Sequence, residues 1–130
     1  MKQAPLANSE LAIMELLWHD EPLTARKIRE HLYGNSTKAQ HGTVQRLLQR
    51  LEEKGYIERD NSQFVHLFRA TVSRQAYAGS QLESLASKLT AGSIAPLITH
   101  LVEESKISRD DIEQIRDILD DYKDAGGNDD

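Results

Sequence analysis

The stretch from residue 41 to residue 59, HGTVQRLLQRLEEKGYIER, decides how this chain is read. Val44, Leu47, Leu48 and Leu51 fall at i, i+3, i+4 and i+7, the spacing of one apolar stripe along a helix. The opposite face carries Arg46, Gln49 and Glu53, with Gln45, Arg50 and Thr43 on its shoulders. Gly55 stands where a helix places its C′ residue, and Tyr56–Arg59 then reads as a strand. Arginine and glutamine on the outer face of a short helix are side chains that can reach base edges in a DNA major groove. An ordinary solvated helix face is the alternative reading of the same residues.

Upstream, Ser9 or Asn8 can cap a first helix running to about His19, with Leu11, Met14 and Leu17 as its stripe and Ile13 and Trp18 beside it. Asp20-Glu21-Pro22-Leu23 ends it. Thr24 caps a second helix to about Leu32, with Ala25, Ile28 and Leu32 inward. Tyr33-Gly34-Asn35-Ser36 reads as a loop, and the third helix begins near Gln40–Gly42. Beyond Gly55 come the first strand, a turn at Asp60-Asn61-Ser62-Gln63, and a second strand from Phe64 to Ala70. Helix, helix, helix, hairpin is the order of a winged helix-turn-helix.

Three more helices are expected. One runs from about Arg74 to Leu89 with Leu82, Leu85 and Leu89 on one side; one is nearly all apolar, Ile94–Val102, with Pro96 in its first turn; the last is capped by Ser108, with Ile112, Ile115, Leu119 and Tyr122 as its stripe. The tail Asp124–Asp130 is polar and expected to fray. The expected fold is mostly α with a small β-hairpin: a winged helix-turn-helix DNA-binding domain over residues 1–78, followed by a helical dimerisation domain over residues 79–130. Short helices with one apolar side each leave too much apolar surface exposed on a single chain. A second copy packed through Leu82, Leu85, Leu89, Leu97, Leu101, Ile112, Ile115 and Leu119 covers it. A symmetric dimer then presents two third helices, as a palindromic DNA site requires.

The chain has 130 residues, 38% of them apolar, and carries a net charge of −5. An acidic total argues against nucleic acid until its distribution is read. Residues 1–78 hold 11 Lys+Arg against 9 Asp+Glu, a net of +2, and residues 79–130 hold 5 against 12, a net of −7. Between residues 24 and 50 there are six basic residues, Arg26, Lys27, Arg29, Lys38, Arg46 and Arg50, and one acid, Glu30. The basic charge therefore coincides with the two-faced helix. There is no cysteine, hence no disulfide framework and no thiolate metal site. No apolar run approaches the roughly 20 residues that cross a bilayer, and the first residues lack a signal-peptide core. A cytoplasmic protein is the simplest reading.

Gln45, Arg46 and Gln49 are the candidates for base contacts, since arginine can be bidentate to guanine and glutamine to adenine. Thr43 and Arg50 flank them and suit phosphate, although Arg50 can equally pair with a neighbouring acid. Arg26 and Lys27 sit in the first turn of the second helix, where side chains and backbone N–H groups both favour phosphate. Ser62 belongs to the wing apex, which has no Lys or Arg and is expected to contribute weakly. His19, His31, His41, His66 and His100 are scattered, with no i, i+4 pair, so no metal and no cofactor is expected. No nucleophile–base pattern or glycine-rich phosphate loop points to an enzyme. Two other readings remain: a winged-helix module that docks a protein, and a ligand-responsive regulator.

These motifs, taken together, resemble the penicillinase-repressor family, the BlaI/MecI/CopY type of bacterial transcriptional repressor. The resemblance lies in LANSELAIMELLW, with Glu10, Met14 and Leu17-Trp18; in GTVQRLLQRLEEKGYI, with Thr43-Val44, Leu47, Arg50-Leu51 and Lys54-Gly55-Tyr56-Ile57; in FRATVS, Phe68–Ser73, leading to Tyr77; and in ISRDDIEQIRDILDDYK. It runs over about residues 6–122. It implies a dimeric winged-helix repressor, with operator binding at the N-terminal end and intertwined C-terminal helices. In members of the antibiotic-response type, a membrane sensor-protease triggers cleavage at an Asn-Phe pair. The matching positions here are His100-Leu101, which argues against that partner. Copper-responsive members carry a C-terminal cysteine cluster, which this chain lacks. Ala70 stands where many members have proline.

Overall fold

The computed structural model describes residues 4–34 and 40–126. Its elements are α1 (Asn8–His19), α2 (Ala25–Tyr33), α3 (His41–Glu53), β1 (Ile57–Asp60), β2 (Leu67–Ala70), α4 (Arg74–Leu89), α5 (Ala95–Glu103) and α6 (Arg109–Asp124). Two compact units divide between Ser84 and Leu85, within α4. The expected division between residues 78 and 79 lies in the same helix. The expected loop positions Asn35 and Ser36, the basic residue Lys38 and the end of the tail lie outside the described residues.

In the first unit, α1, α2 and α3 converge on one core. Ile13, Met14, Leu17, Ile28, Val44, Leu47, Leu48 and Leu51 are buried, together with Leu23, Tyr56, Ile57 and Phe68. Burying each large apolar side chain contributes roughly 1.5–3 kcal/mol. The stripe read on α3 is the buried one, residue for residue. On α1 it differs: Glu10, Ile13, Met14 and Leu17 are buried, while Leu11 is only half-buried. The true i, i+3, i+4, i+7 stripe begins on a carboxylate, so hydrophobicity alone selected the wrong first residue.

Glu10 also replaces the expected cap. Helix α1 starts from Ala7 rather than from Asn8 or Ser9. Alanine has no side-chain acceptor, so the orphan N–H of Ala7 donates to Glu10 Oε1 at 2.9 Å, the reach-back half of a capping box. Lys54 Nζ, at the C-cap of α3, donates to the same oxygen at 2.8 Å. Burial opposes ionisation of Glu10. The Lys54 hydrogen bond, the Ala7 N–H and the charges of Lys54 and Arg50 outweigh it and hold the carboxyl below its ordinary value.

Helix α3 ends as the sequence expects. Gly55 has φ +83°; its N–H donates to Glu52 O at 3.0 Å, and the N–H of Tyr56 donates to Leu51 O at 2.9 Å. These are the two bonds of a Schellman motif, and buried Tyr56 and Leu51 supply its apolar contact. A Cβ on Gly55 meets nothing within 4 Å, so only backbone conformation resists substitution. Gly55→Ala is therefore expected to cost about 1 kcal/mol, and Gly55→Asn less, measured by urea unfolding.

The hairpin is shorter than its apolar pattern suggests. Tyr56 closes α3, so β1 begins at Ile57. The register pairs Ile57 with Ala70, Glu58 with Arg69, Arg59 with Phe68 and Asp60 with Leu67. The expected second strand started at Phe64; the structure starts it at Leu67. Asp60 Oδ1 accepts the N–H of Ser62 at 3.0 Å, an Asx turn that carries the chain out of the ladder. Leu23, expected only as part of a helix break, forms a bridge to Phe68, with N–H···O distances of 2.8 and 3.1 Å.

Helix α4 is anchored to this unit through its first turns. Tyr77 Oη accepts the N–H of Leu6 at 2.9 Å, and Trp18 Nε1 donates to Val72 O at 2.7 Å. The ring of Tyr77 lies 5.7 Å from Tyr56 and 6.2 Å from Trp18. Burial, with the nearby Tyr77 and Glu10, pushes the Tyr56 hydroxyl up to about 12; that hydroxyl donates to Ala4 O.

The second unit is thinly packed. Ala86 is its one buried residue among those described. Ser108 Oγ accepts the N–H of Asp111 at 3.0 Å, the expected cap, with Asp110 and Asp111 at the positive end of α6. Helices α5 and α6 contain no buried residue. Leu89, Ile118, Leu119 and Tyr122 are all more than half exposed.

Candidate nucleic-acid interface

The core stripe of α3 fixes which way its remaining side chains point. With Val44, Leu47, Leu48 and Leu51 turned inward, Arg46, Gln49 and Arg50 are exposed. Gln45 and Thr43 are half-buried on opposite shoulders. The guanidinium of Arg46 leans back along the helix: Arg46 Nη1 is the nearest atom, at 3.9 Å, to a Cβ built on Gly42. This is the direction helical side chains take, and Gly42 leaves the first turn of α3 low enough for close approach. Gln49 Nε2 donates to Glu53 Oε1 at 3.3 Å, so Glu53 steadies the amide at the far end of this face.

Helix α2 brings a second set of cations. Thr24 Oγ1 accepts the N–H of Lys27 at 3.1 Å and so starts the helix. Lys27 is exposed, and Arg26 Nε meets Glu30 at 3.2 Å in an i, i+4 pair. Such an exposed pair is worth only about 0.3–0.5 kcal/mol and yields readily to a phosphate. Arg29 Nη1 lies 3.2 Å from His41 Nδ1, joining α2 to the first turn of α3.

Arg26, His41 and Gln45 share one open cleft with Phe64, Val65 and His66 of the wing. Lys27, Thr43, Arg46, Gln49, Arg50 and Ser62 do not line it. Ser62 is exposed at the wing apex, its N–H held by Asp60; the Ser62 hydroxyl, and then this backbone bond, keep the Asp60 carboxyl below its ordinary value.

Sequence reasoning missed Arg59 as a positioning residue. It stands on β1 with Nη2 2.7 Å from Glu52 Oε1 and Nε 3.2 Å from Glu52 Oε2. Its guanidinium lies 5.0 Å above the Phe68 ring, and Nη1 is 3.0 Å from His66 Nδ1. One cation thus clamps the wing to α3 while lining the same cleft. The signal was the cross-strand register of Arg59 with Phe68, which cannot be read before the strand bounds are known. Phe64 and Val65, read as strand, belong to the exposed apex instead.

The eight candidate interface leucines and isoleucines fall into two groups. Leu82, Leu85, Leu89, Leu101 and Leu119 are exposed, and Leu97, Ile112 and Ile115 are half-buried. Among the described residues, no helix is long and apolar enough to cross a membrane, and no cluster of His, Asp and Glu has the makings of a metal site.

Three helices followed by a two-stranded wing, with an exposed polar face on α3, define a winged helix-turn-helix fold. The chain belongs to the penicillinase repressor family of transcriptional repressors, whose model matches residues 6–121. It is 24% identical over 118 residues to the methicillin resistance regulatory protein MecI of Staphylococcus aureus, covering 91% of this chain and 95% of MecI. It is 22% identical over 124 residues to the penicillinase repressor of Bacillus licheniformis, covering 95% and 96%. Among solved structures, Lactococcus lactis ZitR, as a C30AH42A mutant, aligns with a TM-score of 0.46 at 22% identity, over 94% of this chain and 76% of ZitR. MarR aligns with a TM-score of 0.43 at 18% identity, over 93% and 79%.

Proposed function

We propose that this protein is a homodimeric, sequence-specific repressor that lays α3 in the major groove of a pseudo-palindromic operator. The observation that carries the reading is the division of α3 into a wholly buried apolar stripe and an exposed face of Arg46, Gln49 and Arg50. Gln45, Arg46 and Gln49 read bases. Arg26, Lys27, Thr43, Arg50 and Ser62 hold the backbone and set the register. Dimerisation through the apolar faces of α4, α5 and α6 supplies the second half-site, and the protein acts in the cytoplasm on DNA. Cleavage at His100-Leu101 by a sensor-protease is not part of the proposal.

An unbiased selection from random duplexes with the full-length protein tests this. A palindromic consensus is expected, with affinity falling steeply with salt: if Arg26, Lys27 and Arg50 of both protomers meet phosphate, the slope of log K against log salt is about −5. Arg46→Ala is expected to lose about 1–3 kcal/mol, together with base preference at one position in each half-site. A wild-type selection that returns no consensus would overturn the reading in favour of a protein-docking module. Arg46→Ala with unchanged preference would remove Arg46 from the base-reading set.

A further inference from the structure

The wing carries an aromatic side chain that the fold does not use. Phe64 is fully exposed, at 101%, and Val65 beside it is 53% exposed, whereas Phe68, four residues on, is buried. Both exposed residues follow the Asx turn at Asp60–Ser62 and precede β2, so they form the protruding end of the hairpin. Their position is defined from below: Arg59 ties the strand to Glu52 of α3 and holds His66, which adjoins the two apolar residues.

Phe64, Val65 and His66 line the same cleft as His41 and Gln45 of α3 and Arg26 of α2. The apolar apex therefore borders the face assigned above to the operator; the cleft lining is cationic or neutral, and the Asp60 carboxylate lies in the turn before the apex. A duplex lying on that face offers charged phosphates on its outer wall, which cannot cover a phenyl ring. The apolar surface it does offer is inside the grooves: sugar walls, base faces and the gap opened between two base pairs. Beside the major groove occupied by a reading helix, the next groove along the duplex is the minor groove. Apolar side chains, phenylalanine among them, enter it as wedges between base steps, partly unstacking them and kinking the helix axis.

We propose that Phe64 is such a wedge: with α3 in the major groove, its ring enters the adjacent minor groove and partly unstacks one base step, while Val65 lies against the sugar wall. The proposal rests on the operator reading above. It adds sequence selection outside the footprint of α3, because the step that opens most easily is a flexible pyrimidine–purine step. In a symmetric dimer the two wings kink the operator at two symmetry-related steps.

The test uses full-length wild type, Phe64→Ala and Phe64→Leu on the selected operator. Affinity is read by gel shift, bending by energy transfer between the duplex ends, and unstacking by 2-aminopurine fluorescence at successive flanking positions. Wild type is expected to bend the duplex and brighten 2-aminopurine at one step per half-site. Phe64→Ala is expected to lose both signals and about tenfold in affinity, with base preference at the α3 positions unchanged; Phe64→Leu retains most of the bend. Wild type that binds without bending or brightening overturns the wedge and leaves the repressor reading standing, as does Phe64→Ala with both signals intact. Phe64→Ala that binds and bends normally but fails to repress in a reconstituted transcription reaction assigns the apex to a protein partner and overturns the wedge. If wild type selects no DNA, both readings fall together.

Discussion

Lys54→Met is expected to destabilise the protein by about 2–3 kcal/mol at neutral pH, read by urea unfolding followed through Trp18, the single tryptophan. The Lys54 side chain is 31% exposed and that of Glu10 only 2%, so direct attraction is a modest part of the effect. The greater part is the carboxylate left behind. Glu10 Oε2 already lies buried without a hydrogen-bond partner among the described residues. Removing Lys54 leaves Oε1 with only the N–H of Ala7, and breaking a buried pair from one side exposes the full desolvation cost of the other. The pH dependence gives the sign. In the wild type the Glu10 carboxyl is held below 4.5, so its contribution is complete above that value and is lost as pH falls through the lowered one. In the variant, burial acts against fewer opposing groups and Glu10 protonates more readily. The gap between the two proteins should be widest at neutral pH and narrow as pH falls through the Glu10 value of the variant toward the lowered one of the wild type. Adding Glu10→Leu to Lys54→Met should recover much of the loss, since an apolar pair replaces the ion pair. An unchanged gap from pH 7 to pH 3.5 would show that Lys54 acts through packing alone.

Leu119→Asp carries the second large effect, on assembly. Leu119 is 56% exposed on a single chain, so the substitution should leave the helix content of α6 and the stability of the first unit unaltered. If its face meets a second copy, two carboxylates enter an apolar interface at a cost of several kcal/mol each after relaxation. The dimer dissociation constant is then expected to rise by about 10³-fold or more. Sedimentation should show monomers at micromolar concentration, and operator affinity should fall to that of one half-site. Leu119→Asp that still sediments as a dimer would remove this face of α6 from the interface, without bearing on base reading by α3.

Much of the N-terminal unit was legible because its helices obey period and punctuation. The α3 stripe, the Gly55 stop, the Thr24 and Ser108 caps and the extent of α4 all follow from local rules that need no partner. The misreadings share one cause. Glu10 does not read as a core residue because its burial depends on Lys54, 44 residues away. Phe64 reads as strand from its apolar neighbours, but a residue joins a ladder only when the facing strand is long enough to pair with it, and β1 ends at Asp60. Leu23 reads as loop until Phe68 is known to lie beside it.

Element order, the inward stripe of α3 and the basic stretch that coincides with its outer face are legible along the chain, since they depend on local spacing and charge. Folding alone makes a carboxylate join the start of α1 to the end of α3, ties the wing to α3 through Arg59 and Glu52, and leaves Phe64 exposed beside the helix assigned to DNA. Burial, ion pairing and strand register are relations between residues distant in sequence, and no local pattern encodes which distant residue will arrive.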